Sequence, residues 1–134
     1  MAATANTLPT KAAAYYSFWS QFNVPTYEEN SVEDGEFSPG FPRLTYEFGD
    51  DAFSDYGLSL TASLWYRSSS WVEANAKAAE ISSVIGRGGV QFPCIGGNCW
   101  ITRGSPWALR MGDENDDMIK RIVFNVTVRW NTPT

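Results

Sequence analysis

Histidine is missing altogether from these 134 residues. That removes Ser-His-Asp and Cys-His nucleophile pairs and every His-ligated metal site. Cysteine is nearly as scarce: Cys94 and Cys99 are the whole supply, fewer thiolate ligands than a structural zinc site takes. No apolar run approaches the roughly 20 residues of a spanning helix, so no membrane partner is expected. The start, MAATANT, has neither a basic n-region nor an apolar h-region. No secretion signal is read there, and the chain is expected to act where it is made or in an assembly built there. Lysine and arginine never cluster at the density of a nucleic-acid binder, so sequence-specific DNA or RNA reading is not expected.

What charge there is lies unevenly. The formal net charge is -5, and residues 28–55 hold nine acids (Glu28, Glu29, Glu33, Asp34, Glu36, Glu47, Asp50, Asp51, Asp55) against Arg43 alone. Residues 56–112 run the other way, with Arg67, Lys77, Arg87, Arg103 and Arg110 against Glu73 and Glu80. The molecule therefore has an acidic half and a mildly basic half. Cys94 and Cys99 flank Ile-Gly-Gly-Asn, a spacing that a hairpin could bring within disulfide range. Nothing argues for an oxidising compartment, so two reduced thiols at a turn are the expectation.

Residues 10–21 read as a helix, because Tyr15, Phe18, Trp19 and Phe22 recur at helical spacing; Pro9 suits the first turn and Thr7 or Thr10 its cap. From Asn23 to Gly40 Pro, Gly, Asn and Ser punctuate an acidic stretch with neither period, which predicts a long irregular connection. A strand follows at Arg43 to Phe48, then a loop at Gly49 to Gly57. Leu58 to Arg67 alternates cleanly, Leu58, Leu60, Ala62, Leu64 and Tyr66 forming one face.

Ser70-Trp71-Val72-Glu73 fits a capping box and predicts a helix with Trp71, Ala74, Ala78, Ile81 and Ile85 inward. Gly86-Arg87-Gly88-Gly89 ends that helix. Shorter strands at Val90 to Phe92 and Cys99 to Arg103 are joined by a Gly96-Gly97-Asn98 turn, and a last strand runs from Lys120 to Trp130. The expected architecture is one α+β domain over residues 1–134, a mainly antiparallel sheet with two helices on one face.

Candidate chemistry is thin. The glycines at 86–89 follow a helix instead of preceding one, the wrong orientation for a phosphate loop. Asp113-Glu114-Asn115-Asp116-Asp117 begins like a calcium loop but meets Met118 where the sharp turn wants Gly and Phe124 where a bidentate Glu belongs. That leaves a solvated loop or an acidic contact loop for a basic neighbour. Fifteen acids are present, but nothing in the sequence raises one pKa above another, so no acid/base pair can be nominated. No enzyme, cofactor or metal site is expected. Aromatics reach 15%, high for a domain that hides them all, so some are expected at interfaces.

The runs LSLTASLWYRSSSWVEA (58–74), IGRGG (85–89), WITRGSPW (100–107) and DDMIKR (116–121), with YYSFWSQF (15–22) and VPTY (24–27), carry a resemblance. Together they resemble small prophage proteins encoded among head-to-tail joining genes, similar to tail terminator (tail completion) proteins of long-tailed bacteriophages. The resemblance implies a mixed domain with a sheet flanked by helices. It further implies a structural virion protein in the tail, assembled in the bacterial host cytoplasm. There a homo-oligomeric ring, a hexamer in that family, caps the tail tube protein and meets the head connector or stopper. Genomic DNA would pass an acidic lumen without specific binding, since like charge opposes phosphate contacts. Alternatives are another head-tail connector, a tail tube subunit or, in a different class, a carbohydrate-binding module using exposed Trp and Tyr. The expected subunit interface is the Ser105 to Asp117 segment, read as a loop, with Trp107 as apolar anchor, Arg110 as charged partner, and Asp113, Glu114, Asp116 and Asp117 as its acidic end.

Overall fold

The computed structural model describes residues 8–29, 40–50 and 57–132. Thr7 and the acids Glu33, Asp34, Glu36, Asp51 and Asp55 lie outside the described residues. The element order is α1 (Lys11–Ser20), β1 (Thr26–Glu28), β2 (Arg43–Tyr46), β3 (Leu58–Arg67), α2 (Val72–Ile85), β4 (Val90–Cys94), β5 (Gly97–Gly112) and β6 (Ile119–Asn131). The strands form one six-stranded sheet in the order β1-β2-β3-β6-β5-β4. β1 pairs with β2 in parallel and every other pair is antiparallel. The chain is thus α+β with a mostly antiparallel sheet, as its patterning predicts.

Alternation explains the two long central strands. In β6 Ile122, Phe124, Val126, Val128 and Trp130 are buried while the residues between them are half-buried. Their partners Leu64, Ala62, Leu60 and Leu58 on β3 share that face. Helix α1 lays Tyr15, Phe18 and Trp19 on the same face, where Tyr15 meets Tyr46 (5.5 Å), Phe48 (5.7 Å) and Trp130 (6.0 Å) and Phe18 stacks on Phe92 (5.5 Å). Tyr46, Phe92 and Trp130 lie on β2, β4 and β6, with Phe48 just past β2, and α1 touches both β1 and β4, so the sheet curls until its two edge strands reach one helix. Helix α2 adds Ala74, Ile81 and Ile85 over β3, β5 and β6 to the same core. Both helices therefore cover one face, and the other is left to side chains of the sheet itself.

Local signals decide the element ends; β2 stops at Tyr46 instead of Phe48, β4 runs on to Cys94, and four larger differences separate the structure from the sequence reading. Thr10 caps α1, its hydroxyl accepting from the Ala13 amide at 3.2 Å. Helix α2 begins one residue later than the capping box predicts: Trp71 is its N-cap, and the Ser70 hydroxyl accepts from Val72 at 3.3 Å instead of from the Glu73 amide. The stretch read as wholly irregular contains β1, tied to β2 by the Glu29 amide donating to Tyr46 O (2.7 Å) and the Leu44 amide to Pro25 O (2.8 Å). The β4–β5 turn is Ile95-Gly96, with Gly96 at φ 88° and Cys94 opposite Gly97, shifted back from the predicted Gly96-Gly97-Asn98. The fourth difference is the largest: β5 does not stop at Arg103 but passes an irregularity between Arg103 and Ala108 and pairs with β6 as far as Gly112.

Cys94 and Cys99 are free, buried thiols, as their expected reduced state requires. Burial pushes both thiols up, and it also raises the Tyr15 phenol and pushes Tyr46 up to about 12. In the unfolded chain these groups ionise near their ordinary values, about 8.5 for Cys and about 10 for Tyr. Above those values the unfolded state binds fewer protons than the native state, so stability is full below them and falls as pH rises. We expect the melting temperature to drop steadily between about pH 8.5 and 11. Thiol labelling near pH 8 should proceed at the rate of global unfolding. Immediate labelling of either cysteine in the native state would contradict the burial of the hairpin.

Candidate interaction surface

The Ser105–Asp117 segment was the sequence's candidate interface, and the structure divides it into three parts. At the irregularity, Ser105 and Pro106 are exposed, which is where a sheet tolerates a residue with no amide to donate. Trp107 then turns inward, correcting its expected role as an exposed anchor. Its ring lies 5.2 Å from buried Phe124, its indole N–H donates to Ser82 Oγ at 2.8 Å, and the Arg103 guanidinium sits 5.3 Å over it. Trp107 docks β5 on α2 and is half-buried there.

Beyond it, Ala108 to Gly112 form an exposed strand instead of a loop. Arg110 faces the start of α2, its guanidinium 5.2 Å over the Trp71 ring, with Lys120 Nζ 5.8 Å from the same ring. Leu109 and Met111 point to the opposite face, opposite Val123 and Arg121 of β6, and each is 46% exposed. Sequence reasoning passed over this pair. The signal was present, since Leu-Arg-Met is apolar-polar-apolar, but three residues after a proline are too few to mark a strand. Met111 borders a recess of about 130 Å³ with Trp65, Ile119 and Arg121.

The third part is the acidic turn. Asp113 Oδ1 accepts from the amides of Asn115 (2.7 Å) and Asp116 (3.2 Å), and Asp116 Oδ1 accepts from Met118 N (2.9 Å). These side-chain-to-backbone bonds are why Asp and Asn occupy this turn. Asp116 also pairs with Arg67, and that contact, with the Met118 amide, holds its carboxyl below the usual range. Glu114 and Asp117 remain exposed. The turn thus brings four acids to one end of the β5–β6 hairpin but leaves Trp107 on another face. Among the described residues no group of His, Cys, Asp or Glu is arranged to hold a metal.

The opposite face of the sheet is a ladder of tryptophan and arginine. Arg43 and Arg121 lie 4.9 and 4.4 Å from the Trp65 ring, the Trp65 indole donates to Thr45 Oγ1 (3.0 Å), and Arg121 donates to buried Ser63 Oγ (3.0 and 3.1 Å). Arg129 lies 5.2 Å from Trp100. At the β1–β2 edge, Glu28, Glu29 and Glu47 line a cleft of about 300 Å³. Burial, and then the neighbouring Glu47, raise the Glu29 carboxyl. A separate recess of about 400 Å³, floored by Phe18, Val84, Val90 and Phe92, holds no charged group. No helix among the described residues is long and apolar enough to cross a membrane.

Comparison with protein-family models, with curated protein sequences and with solved structures found no match.

Proposed function

We propose that this chain is a structural subunit of a long-tailed phage virion that caps the completed tail tube and joins it to the head connector, acting as a ring of copies and not as an enzyme. The observation that carries the reading is where the resembling residues lie. The 58–74 run is β3 and the start of α2, the 85–89 run ends α2, the 100–107 run is the middle of β5, and the 116–121 run leads into β6. These are neighbouring elements of one sheet-and-helix unit, so the resemblance follows a contiguous piece of architecture instead of scattered fragments. The formal charge of -5 suits a channel that lets DNA pass without adhering.

Another connector or a tube subunit is the nearest alternative. The carbohydrate-module reading is weakened by the tryptophans. Trp19 is fully buried, and Trp65, Trp71, Trp100, Trp107 and Trp130 each carry an Arg or Lys over the ring that a sugar would need. Deleting the gene from an inducible prophage tests the proposal. We expect full heads and separate tails by electron microscopy, joined again when the wild-type chain is supplied in trans. Gold-labelled antibody should mark only the head-proximal tip of the tail. Labelling along the whole tube would identify a tube subunit, and normal infectious particles without the gene would end the reading.

A further inference from the structure

β4 covers β5 only from Gly97 to Ile101. From Thr102 to Gly112 the only ladder partner of β5 among the described residues is β6, and every residue from Ala108 to Gly112 is exposed. Such an edge presents unpaired amides and carbonyls that template pairing with another strand unless charge, proline or a bulge blocks it. Here the irregularity and Pro106 lie upstream, Arg110 leans over Trp71, and Leu109 and Met111 leave one side apolar. The other end of the sheet is β1, whose only ladder partner among the described residues is β2 and whose Tyr27 is exposed.

We propose that Ala108–Gly112 of one copy pairs strand to strand with the β1 edge of a second copy. The proposal rests on the ring reading above and names the surfaces that meet. Charge selects this pairing. Residues 108–112 contain Arg110 and no acid, the acidic turn beginning only at Asp113, whereas the β1 edge carries Glu28 and Glu29 with Glu47 behind them. Two β5 edges facing each other would instead set Arg110 near its own copy, and like charges across a ladder oppose pairing. A β5-to-β1 contact uses unlike patches, so each copy keeps one of each for its neighbours, the head-to-tail geometry from which rings close. Leu109 and Met111 supply the apolar area.

Sedimentation velocity on the purified full chain over a wide concentration range tests this. Wild type should associate, and the Leu109→Glu/Met111→Glu variant, which removes the apolar pair and sets acid against the acidic β1 edge, should need at least tenfold more protein to do so while melting within about 2 °C of wild type, as surface changes do. A mixing experiment stands independently of that variant's folding. Leu109→Cys copies mixed with Tyr27→Cys copies should give an oxidised mixed dimer, with little product from either alone, since Cys94 and Cys99 are buried. Cross-linking of Leu109→Cys copies among themselves would overturn the proposal in favour of a symmetric edge contact. Undiminished association of the glutamate variant without a mixed dimer would overturn it and leave the ring to another surface. A wild type that stays monomeric throughout would overturn it too, while the prophage deletion judges the tail-joining role separately.

Discussion

Trp19→Ala is expected to destabilise the protein by about 3–5 kcal/mol, the usual range for removing a large aromatic side chain from a core. At this chain length that lowers the melting temperature by roughly 10–20 °C. Trp19 is fully buried and packs edge-to-face on Phe18 (5.0 Å) and Tyr15 (6.4 Å). Helix α1 is the element that both edge strands of the curled sheet reach, so the cavity opens at the seam where the sheet closes on itself. Few neighbours can collapse into it, because the Ile95 amide donates to Pro9 O at 2.8 Å and Lys77 Nζ to Phe22 O at 2.8 Å, pinning both ends of the helix to other elements. Tyr16→Ala on the same helix, 44% exposed, serves as the control and should cost less than about 1 kcal/mol. Urea unfolding of the pair decides the matter. If the two variants unfold at the same midpoint, α1 is not the element that closes the sheet.

The α2 stripe sets Trp71 inward with the other core residues, and the structure corrects this. Trp71 is half-buried, lies at the N-cap and not within α2, and carries Arg110 and Lys120 over its ring. Ile85 is fully buried, as the helical stripe predicts. The difference between the two tryptophans follows from phase. Residues 15, 18, 19 and 22 leave no ambiguity about which face of α1 is apolar, whereas a tryptophan at the first position of a stripe can be cap or core with equal periodicity.

The strands were legible in proportion to how one-sided their burial is. β6 buries one face and half-exposes the other, and β3 keeps the same alternation of residue types although Leu58 and Leu60 are half-buried and Ser63 is buried, which writes a period of two into the sequence. β1 is three residues long, too short for a period, and is held in place by backbone bonds to β2 that any residue types could make. The distal half of β5 was hidden for a different reason. Ala108 to Gly112 are all exposed, so no alternation in burial exists to select apolar residues there, and glycine and proline at the irregularity read as the end of a strand.

The same cause misplaced the candidate anchor. An isolated tryptophan among Gly, Ser, Pro and Arg has no apolar neighbours in sequence, and its real partners, Phe124 and Ser82, come from β6 and α2. Contacts that distant leave no local trace. Arg110 and the acids from Asp113 to Asp117 lie at the distal end of the β5–β6 hairpin, all exposed except the half-buried Asp116. In the proposed edge contact Leu109 and Met111, each 46% exposed, supply the apolar part expected of Trp107.

Gly89→Ala is expected to be nearly as damaging as the core truncation, although it adds only one methyl group. The residue joins the end of α2 to β4 at φ 84°, where a side chain clashes with its own backbone at a cost of roughly 1–2 kcal/mol. Space compounds the strain. A Cβ there would overlap Ile101 O and come within 2.7 Å of Thr102 Cγ2 and 2.8 Å of Trp100 Nε1. Ile101 pairs with Val128 in the sheet, and the Trp100 indole already donates to Gly88 O at 3.1 Å, so neither neighbour can yield cheaply. Overpacking of this kind adds about 1–3 kcal/mol, giving a total near 3–4 kcal/mol. Gly88→Ala is the matched control: a Cβ there meets nothing within 4 Å, and its φ is not positive. That variant should melt within a few degrees of wild type, as a surface substitution does. Equal melting of the two would show that the approach of the α2–β4 turn to β5 is looser than this packing implies. A large loss confined to Gly89 would show that the turn is fixed by its contact with Trp100 and Ile101.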